Sequence, residues 1–340
     1  MTSLISCSKD DNTPETEITA KKVYVAGAIF NGANYMAVYW KDNEVVNLGS
    51  LGDISLAIDI AVANDNTVYA CGYSNQGTGN QAVYWKQSPS DNYPNTYNLT
   101  ATGESVAYDM MVINSDMYVV GYETVSGKKV AVYWKNGEKH QLTDGANNAI
   151  AQSIAVNDEG KLFFGGYETS GSDMIGKVWS DFYATTTYNA GVGHSYINSI
   201  SIPKHNVYAA GIQQQPLYVV TYWKDDVPYT LTDGSSNAFA RKIQAVSNNN
   251  VTDVYIIGDQ NVNGVYTATL WKNDVAQPLT NSTNVTTPYG LFVDGTDVYI
   301  AFQENTSTSV TIPKYLKNNV ETILPLDGGS SGIVRAIEVK

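Results

Sequence analysis

Two cysteines in 340 residues, Cys7 and Cys71, leave no disulfide framework and no Cys-x-x-Cys metal pair. Histidine is as scarce. His140, His194 and His205 fall in turn regions of different repeats, without metal-ligand spacing, so no metal is expected. Arginine occurs twice, at Arg241 and Arg335. With 20 basic against 33 acidic side chains the formal net charge is −13, which repels a phosphate backbone and removes nucleic acid from the expected partners. No apolar run approaches the roughly 18 residues of a membrane helix. A glycine-rich phosphate loop and a Gly-x-Ser-x-Gly elbow are also missing, so neither a nucleotide cofactor nor any other cofactor is expected.

Tyrosine and glycine are abundant, at 25 and 28 residues, and they recur in register. A valine–tyrosine strand ends in glycine, a polar loop follows, and a tyrosine–tryptophan–lysine strand comes next. The first aromatic recurs at Tyr24, Tyr69, Tyr118, Phe163, Tyr208, Tyr255 and Tyr299, in steps of 45, 49, 45, 45, 47 and 44 residues. A fixed period in this range marks stacked or radially arranged units. In the unit 117–161 the pattern predicts strands at 117–121, 130–135, 139–143 and 150–156, with Asn136-Gly137 as a two-residue hairpin turn.

The first unit begins at its second strand, and an additional first strand, 333–339, ends the chain. First strands number seven: 56–62, 106–112, 150–156, 196–202, 239–246, 287–293 and 333–339. The predicted fold is therefore all-β, a seven-bladed β-propeller of four-stranded blades over 22–340, closed by 333–339 pairing with 22–27.

Repeated columns read as packing. Trp40, Trp85, Trp134, Trp179, Trp223 and Trp271 form one column, with Leu316 in the seventh place. An aromatic ladder also suits sugar stacking, but a leucine substitute fits inter-blade packing better. The glycines 27, 72, 121, 166, 211 and 258 read as close strand approach or the start of a turn. Cys71 shares a column with Ala26, Val120 and Ala210 and reads as a small core residue.

At the N-terminus, Leu4-Ile5-Ser6-Cys7 resembles a bacterial lipobox, and Ser8-Lys9-Asp10-Asp11 resembles the acidic export tag of Bacteroidetes surface lipoproteins. The resemblance implies that 1–7 is a signal remnant with Cys7 as lipid anchor. Residues 8–21 read as a disordered polar tether. It implies an outer-membrane lipoprotein facing outward, touching the membrane only through its lipid. The stretch 37–62, with Trp40, Leu48-Gly49-Ser50-Leu51-Gly52 and Ala57-Ile58, resembles the HAF-type extracellular repeat of bacterial surface proteins. Later units replace Leu-Gly with Leu142-Thr143-Asp144-Gly145 or Leu231-Thr232-Asp233-Gly234. This resemblance implies an exported propeller and carries no assigned chemistry.

Function is expected where the columns stop repeating. One column of the first strands reads Ile58, Tyr108, Gln152, Asn198, Arg241, Tyr289, Arg335, and the next reads Asp59, Asp109, Ser153, Ser199, Lys242, Gly290, Ala336. Both arginines share a column, with Tyr289 between them. Tyr108, Gln152, Asn198, Arg241, Tyr289 and Arg335 are the candidate ligand site at the channel mouth, suited to a small anionic ligand or a glycan. The competing expectation is an internal ion pair, with Asp59 neutralising Arg335.

Carboxylates and amides at Glu123, Glu168, Gln213, Asp259 and Gln303 are expected in loops on the same face, beside Asp144 and Asp233. Such residues would serve an alternative glycoside hydrolase- or lyase-like reading. A sialidase-like site would need three arginines and repeated Ser-x-Asp-x-Gly-x-Thr-Trp boxes, and the chain has neither. The expectation is a monomeric binding or interaction module for a glycan, peptide, small anion or surface protein, with no catalytic residue assigned. The polar 86–98 insertion is the alternative adhesive surface.

Overall fold

β-Branched and aromatic residues favour the extended backbone, and the repeats of this chain alternate them with alanine and glycine on both strand faces. A computed structural model describes residues 21–50, 52–180, 185–188, 193–249, 251–281, 283–306 and 310–340. Residues 1–20, with Cys7 and nearly all of the expected tether, lie outside the described residues.

Among the described residues, 28 strands form seven four-stranded antiparallel sheets. The innermost strands of blades 2 to 7 are Ile54–Val62, Ser105–Ile113, Ala149–Val156, Ser195–Ser201, Ala238–Asn248 and Val285–Asp294. Blade 1 is closed by the C-terminal strand Ser331–Val339, which pairs with Val23–Phe30. Each innermost strand touches that of the next blade, and blade 7 touches blade 1, so the ring is complete.

Both faces of a blade are buried between neighbours. The six tryptophans are 0 to 3% exposed and Leu316 is 3% exposed, so the column packs and offers no face to a sugar. Cys71 is fully buried among apolar neighbours, as its column predicts. Five of the hairpins between the third and fourth strands use two consecutive left-handed residues, as Asn136-Gly137 and Asp225-Asp226 do. Their twist matches that of the flanking strands. The 86–98 insertion is shorter than its sequence reads: Gln87 ends one strand, Asn95 starts the next, and 88–94 form the loop, with Tyr93 81% exposed.

The blades are also clasped by a polar column that the sequence reading passed over. Three residues before each tryptophan, a backbone N–H lies beyond the reach of the short outer strand. It donates to a hydroxyl of the following blade or of the link to it: Ala37 to Ser55, Ala82 to Ser105, Ala131 to Thr143, Gly176 to Ser195, Val220 to Thr232 and Ala268 to Thr286, at 2.9 to 3.2 Å. At the seventh junction this position is Pro313, which has no N–H, and Thr311 donates to Ser331 instead, at 2.9 Å. The Leu-Thr-Asp-Gly units thus depart from the Leu-Gly pattern because their threonine supplies the clasp.

Candidate functional site

A single irregularity, repeated seven times, builds the channel mouth. Every innermost strand carries a one-residue bulge, and the unpaired residue is Ile58, Tyr108, Gln152, Asn198, Arg241, Tyr289 or Arg335. A bulge bends the strand and re-aims its side chain. It also drives a carbonyl of the innermost strand into the adjoining strand. A Cβ on Gly72, Gly121 or Gly211 would sit on the carbonyl oxygen of Leu56, Val106 or Tyr196. The glycine column is therefore the counterpart of the bulge column, which gives the expected close approach its cause.

All six predicted site residues line one cavity of about 420 Å³ at this mouth. Its wall is divided. Blades 2 and 3 contribute Leu56, Ile58, Tyr73, Val106, Tyr108 and Tyr122 with a single amide, Asn80, whereas blades 4, 5, 6 and 1 contribute Gln152, Asn198, Arg241, Lys242 and Arg335. Tyr289 lies between the two arginines as the column order predicts: its ring centroid is 4.3 Å from the Arg335 guanidinium carbon and 5.5 Å from that of Arg241. Burial pushes the Tyr108 phenol up to about 12, so it stays protonated.

The charges around this chamber are unequally matched. Arg241 Nε donates to Asp259 Oδ1 at 2.7 Å, and Asp259 is 3% exposed. Burial raises the Asp259 carboxyl above its ordinary range, against the pull of Arg241. Arg335 has no carboxylate partner among the described residues. Its Nη1 donates to the Val334 carbonyl at 2.9 Å and to Gln303 Oε1 at 3.5 Å, both neutral. Burial lowers the pKa of this guanidinium, yet arginine remains a cation in proteins.

Asp59 is not the counter-ion of Arg335, contrary to the expected ion pair. Asp59 and Asp109 occupy the next column, one level deeper, where each accepts a backbone N–H from the next blade, Met110 and Ile154, at 2.9 Å. Lys242 reaches across the ring from blade 6 to Asp109 in blade 3, with Nζ 3.1 Å from Oδ1. Burial would lower the lysine's pKa, but Asp109 and Asp59 together hold it above its ordinary value. Burial, then the neighbouring Asp109 charge, raises Asp59 well above the carboxylate range, so it is protonated and hydrogen-bonds to Asp109. Asp109 stays ionised, because Lys242, Asp59 and the Ile154 N–H overcome its own burial. These three groups form a crossbar with balanced charge, and Lys242 borders a cavity on each side.

Below the crossbar lies a second cavity of about 480 Å³, bordered by the buried Ile60, Ile154, Ile200 and Ile337. Glu338 faces it, and burial pushes its carboxyl up to about 7. The folded pKa exceeds the ordinary value of 4.5, so folding favours the protonated form. The contribution of Glu338 to stability is full below pH 4.5 and is lost as the pH rises through 7. Glu338→Gln is expected to match the native protein near pH 4 and to exceed it at pH 8 by up to roughly 3 kcal/mol, at about 1.4 kcal/mol per pKa unit. Urea unfolding at both pH values measures this, and equal gains at the two would contradict it.

Of the other polar residues, Asp259 and Gln303 meet the chamber's two arginines, and the rest do not converge. Glu123, Glu168, Gln213, Asp259 and Gln303 belong to second strands rather than loops, paired with Ser105, Ala149, Ser195, Phe239 and Thr287. Glu123 is held by Lys139 at 2.7 Å, and Asp144 and Asp233 accept turn N–H groups of Ala146 and Ser235. His140 stacks on Tyr133, His194 Nδ1 accepts the Met174 N–H, and His205 lies at the surface near Glu159. Among the described residues no group of three or more His, Cys, Asp or Glu is placed to hold a metal. Among the described residues no carboxylate lines the upper chamber, and none there forms the pair that glycoside hydrolysis uses.

No family model matches the sequence, and no curated protein is similar to it in sequence. The likeness to HAF-type repeats, which covers 37–62 well and the other repeats weakly, thus has no family match to support it. Solved structures share the fold. A puromycin-hydrolyzing peptidase of Mycobacterium tuberculosis is similar with a TM-score of 0.56 at 12% identity over 89% of this chain. The chain spans 51% of that peptidase, about half its length. A periplasmic gluconolactonase of Pseudomonas aeruginosa is similar with a TM-score of 0.50 at 8% identity, over 94% of this chain and 99% of that one. A Lactobacillus plantarum protein gives a TM-score of 0.52 at 12% identity, over 94% and 100%. At such identities the likeness is one of fold.

Proposed function

We propose that the chain is a binding module whose ligand is a small anionic molecule or the acidic end of a glycan, held in the upper chamber. One observation carries this reading. Arg335 is a largely buried cation with no carboxylate partner among the described residues, in a protein whose net charge is −13. An uncompensated charge in a desolvated cavity is costly, and an incoming anion removes that cost. The absence of a lining carboxylate favours binding over glycoside hydrolysis or lyase chemistry. Removing the guanidinium should cost about 10- to 100-fold in affinity, the worth of a hydrogen bond to a charged group. Calorimetric titration of native protein and Arg335→Gln with a panel of small carboxylates, inorganic phosphate and acidic oligosaccharides tests this. A ligand bound equally by both proteins places the site elsewhere. Selective capture of a protein at the 88–94 loop would support the adhesive alternative.

The reading includes export and surface anchoring, supported by the lipobox-like Leu4-Ile5-Ser6-Cys7 and the acidic residues behind it. Cys7→Ala is expected to move the protein from the membrane fraction to the soluble fraction when expressed behind a complete lipoprotein signal. Unchanged fractionation would remove Cys7 as the anchor.

A further inference from the structure

Resting on the upper-chamber reading, we infer that the ligand is a monoanionic aryl carboxylate carrying a hydrogen-bond donor at the end opposite its carboxylate. Four features of the chamber lead there. The first is the charge balance. Asp259 neutralises Arg241, and Asp109 neutralises Lys242 while Asp59 keeps its proton. One positive charge is left over, on Arg335. A dianion such as phosphate would bring one charge more than the site can match.

The second feature is shape. The Arg335 guanidinium lies 4.3 Å from the Tyr289 ring and also hydrogen-bonds with Tyr289, while its bonds to Val334 and Gln303 use Nη1. A guanidinium offers five donors in one plane, a geometry that matches a planar carboxylate.

The third feature separates an aromatic body from a sugar. Going round the ring from Arg335 in blade 1, the wall of blades 2 and 3 is Leu56, Ile58, Val106, Tyr73, Tyr108 and Tyr122, with Asn80 its one amide, whose Oδ1 already accepts from Asn75 Nδ2 at 3.2 Å. The Tyr108 and Tyr122 rings lie 6.2 Å apart, and the Tyr122 hydroxyl is committed to Glu104 at 2.7 Å. A sugar lying here would press hydroxyl groups against aliphatic side chains that offer no hydrogen bond. An aromatic ring gains from burial and from edge or face contacts with the tyrosines.

The fourth feature fixes the far end. Gln152 stands in blade 4, three blades from Arg335 in a ring of seven and thus on the far side of the channel. Its Oε1 is buried without a hydrogen-bond partner, whereas its neighbour Asn198 is already bonded to the Ala240 carbonyl at 2.7 Å. A hydroxyl or amide N–H on the ligand satisfies Gln152 while the carboxylate meets Arg335. The crossbar closes the floor beneath, and about 420 Å³ is in the range of small-molecule sites.

Calorimetry with 4-hydroxyphenylacetate, phenylacetate, glucuronate, acetate and inorganic phosphate tests this on the full chain. The hydroxylated aryl acid is expected to bind tightest, with phenylacetate several-fold weaker, and glucuronate, acetate and phosphate weaker by roughly tenfold or more. Arg335→Gln should reduce binding of both aryl acids. Gln152→Leu should erase the difference between them without changing the melting temperature. Glucuronate, acetate or phosphate binding as tightly as the aryl acids, with loss in Arg335→Gln, would overturn the aryl assignment and leave the anion site standing. So would equal binding of the two aryl acids by native protein. Failure of every probe to bind, or binding that ignores Arg335, would overturn both.

Discussion

A chain ending at residue 330 is expected to lose cooperative folding altogether. The segment removed contributes the innermost strand of blade 1, Ser331–Val339, and with it the eight-residue ladder to Val23–Phe30. Val334, Ile337 and Val339 are 0, 5 and 6% exposed. At roughly 1.5–3 kcal/mol for each buried aliphatic side chain, these three alone contribute about 5–9 kcal/mol, comparable to the whole net stability of about 5–15 kcal/mol typical of a domain. Further ties go with them. Ser331 no longer accepts the Thr311 N–H, and Lys22 and Lys340 no longer exchange their two backbone hydrogen bonds of 2.7 and 2.9 Å. Both Val23–Phe30 and the face of blade 7 would stand open, which promotes edge-to-edge association. Thermal unfolding followed by circular dichroism should lose its single sharp transition, and the sample should aggregate. A synthetic peptide covering 331–340 should restore the transition by adding the missing strand. A truncated monomer that melts like the native chain would show that closure contributes little.

The architecture could be read from the sequence because propeller packing forces repetition. Each wedge between blades needs the same large side chain, so Trp40 through Trp271 recur, and a single exception at Leu316 does not obscure the column. Closure was legible for the same reason, since a chain that starts at a second strand leaves one innermost place for Ser331–Val339. The candidate site was legible in its membership. Residues that vary while their neighbours repeat are those freed from packing, and the six named from that column all border one cavity.

Contacts across the channel were not legible. Periodicity assigns a residue to a blade and a depth, but it does not say which of six other blades its side chain will meet. Asp59 adjoins the blade of Arg335, and adjacency suggested a pair between them. The bulge places Arg335 at the mouth and Asp59 one level below, where Lys242 arrives from across the ring. Lys242 and Asp109 are 133 residues apart, and no spacing rule connects them. The clasp column was within reach of sequence reading. Ser55, Ser105, Ser195, Thr286 and Ser331 all open innermost strands, but a small polar residue at a strand end carries little signal unless the orphan N–H three residues before each tryptophan is counted as well.

Replacing Lys242 with methionine is expected to be the most damaging single change in the channel. Methionine keeps most of the length and removes the charge, so Asp109 is left buried with no cation beside it. Removing one partner of a buried ion pair typically costs about 3–5 kcal/mol. A quarter of the lysine side chain remains accessible to the chamber, so the lower end, roughly 3 kcal/mol, is the better expectation. The pH dependence separates this cause from a simple packing defect. Without Lys242, the burial of Asp109 is opposed only by its hydrogen bonds with Asp59, Ser153 and the Ile154 N–H, and its folded pKa is expected to rise above the ordinary carboxylate value. A group shifted in that direction contributes stability that is present at low pH and lost as the pH rises through the folded pKa. Lys242→Met should therefore be most destabilised at pH 7 and above, and recover much of the loss near pH 4.5. Adding Asp109→Asn to the same chain should restore stability at pH 7, since an amide still accepts the Ile154 N–H that Asp109 Oδ2 accepts now. Urea midpoints for the native chain, the single variant and the double variant at the two pH values measure all of this. An equal loss at both pH values, or a double variant no more stable than the single one, would mean that Lys242 fills space in the channel and that the balance of charge across it contributes nothing.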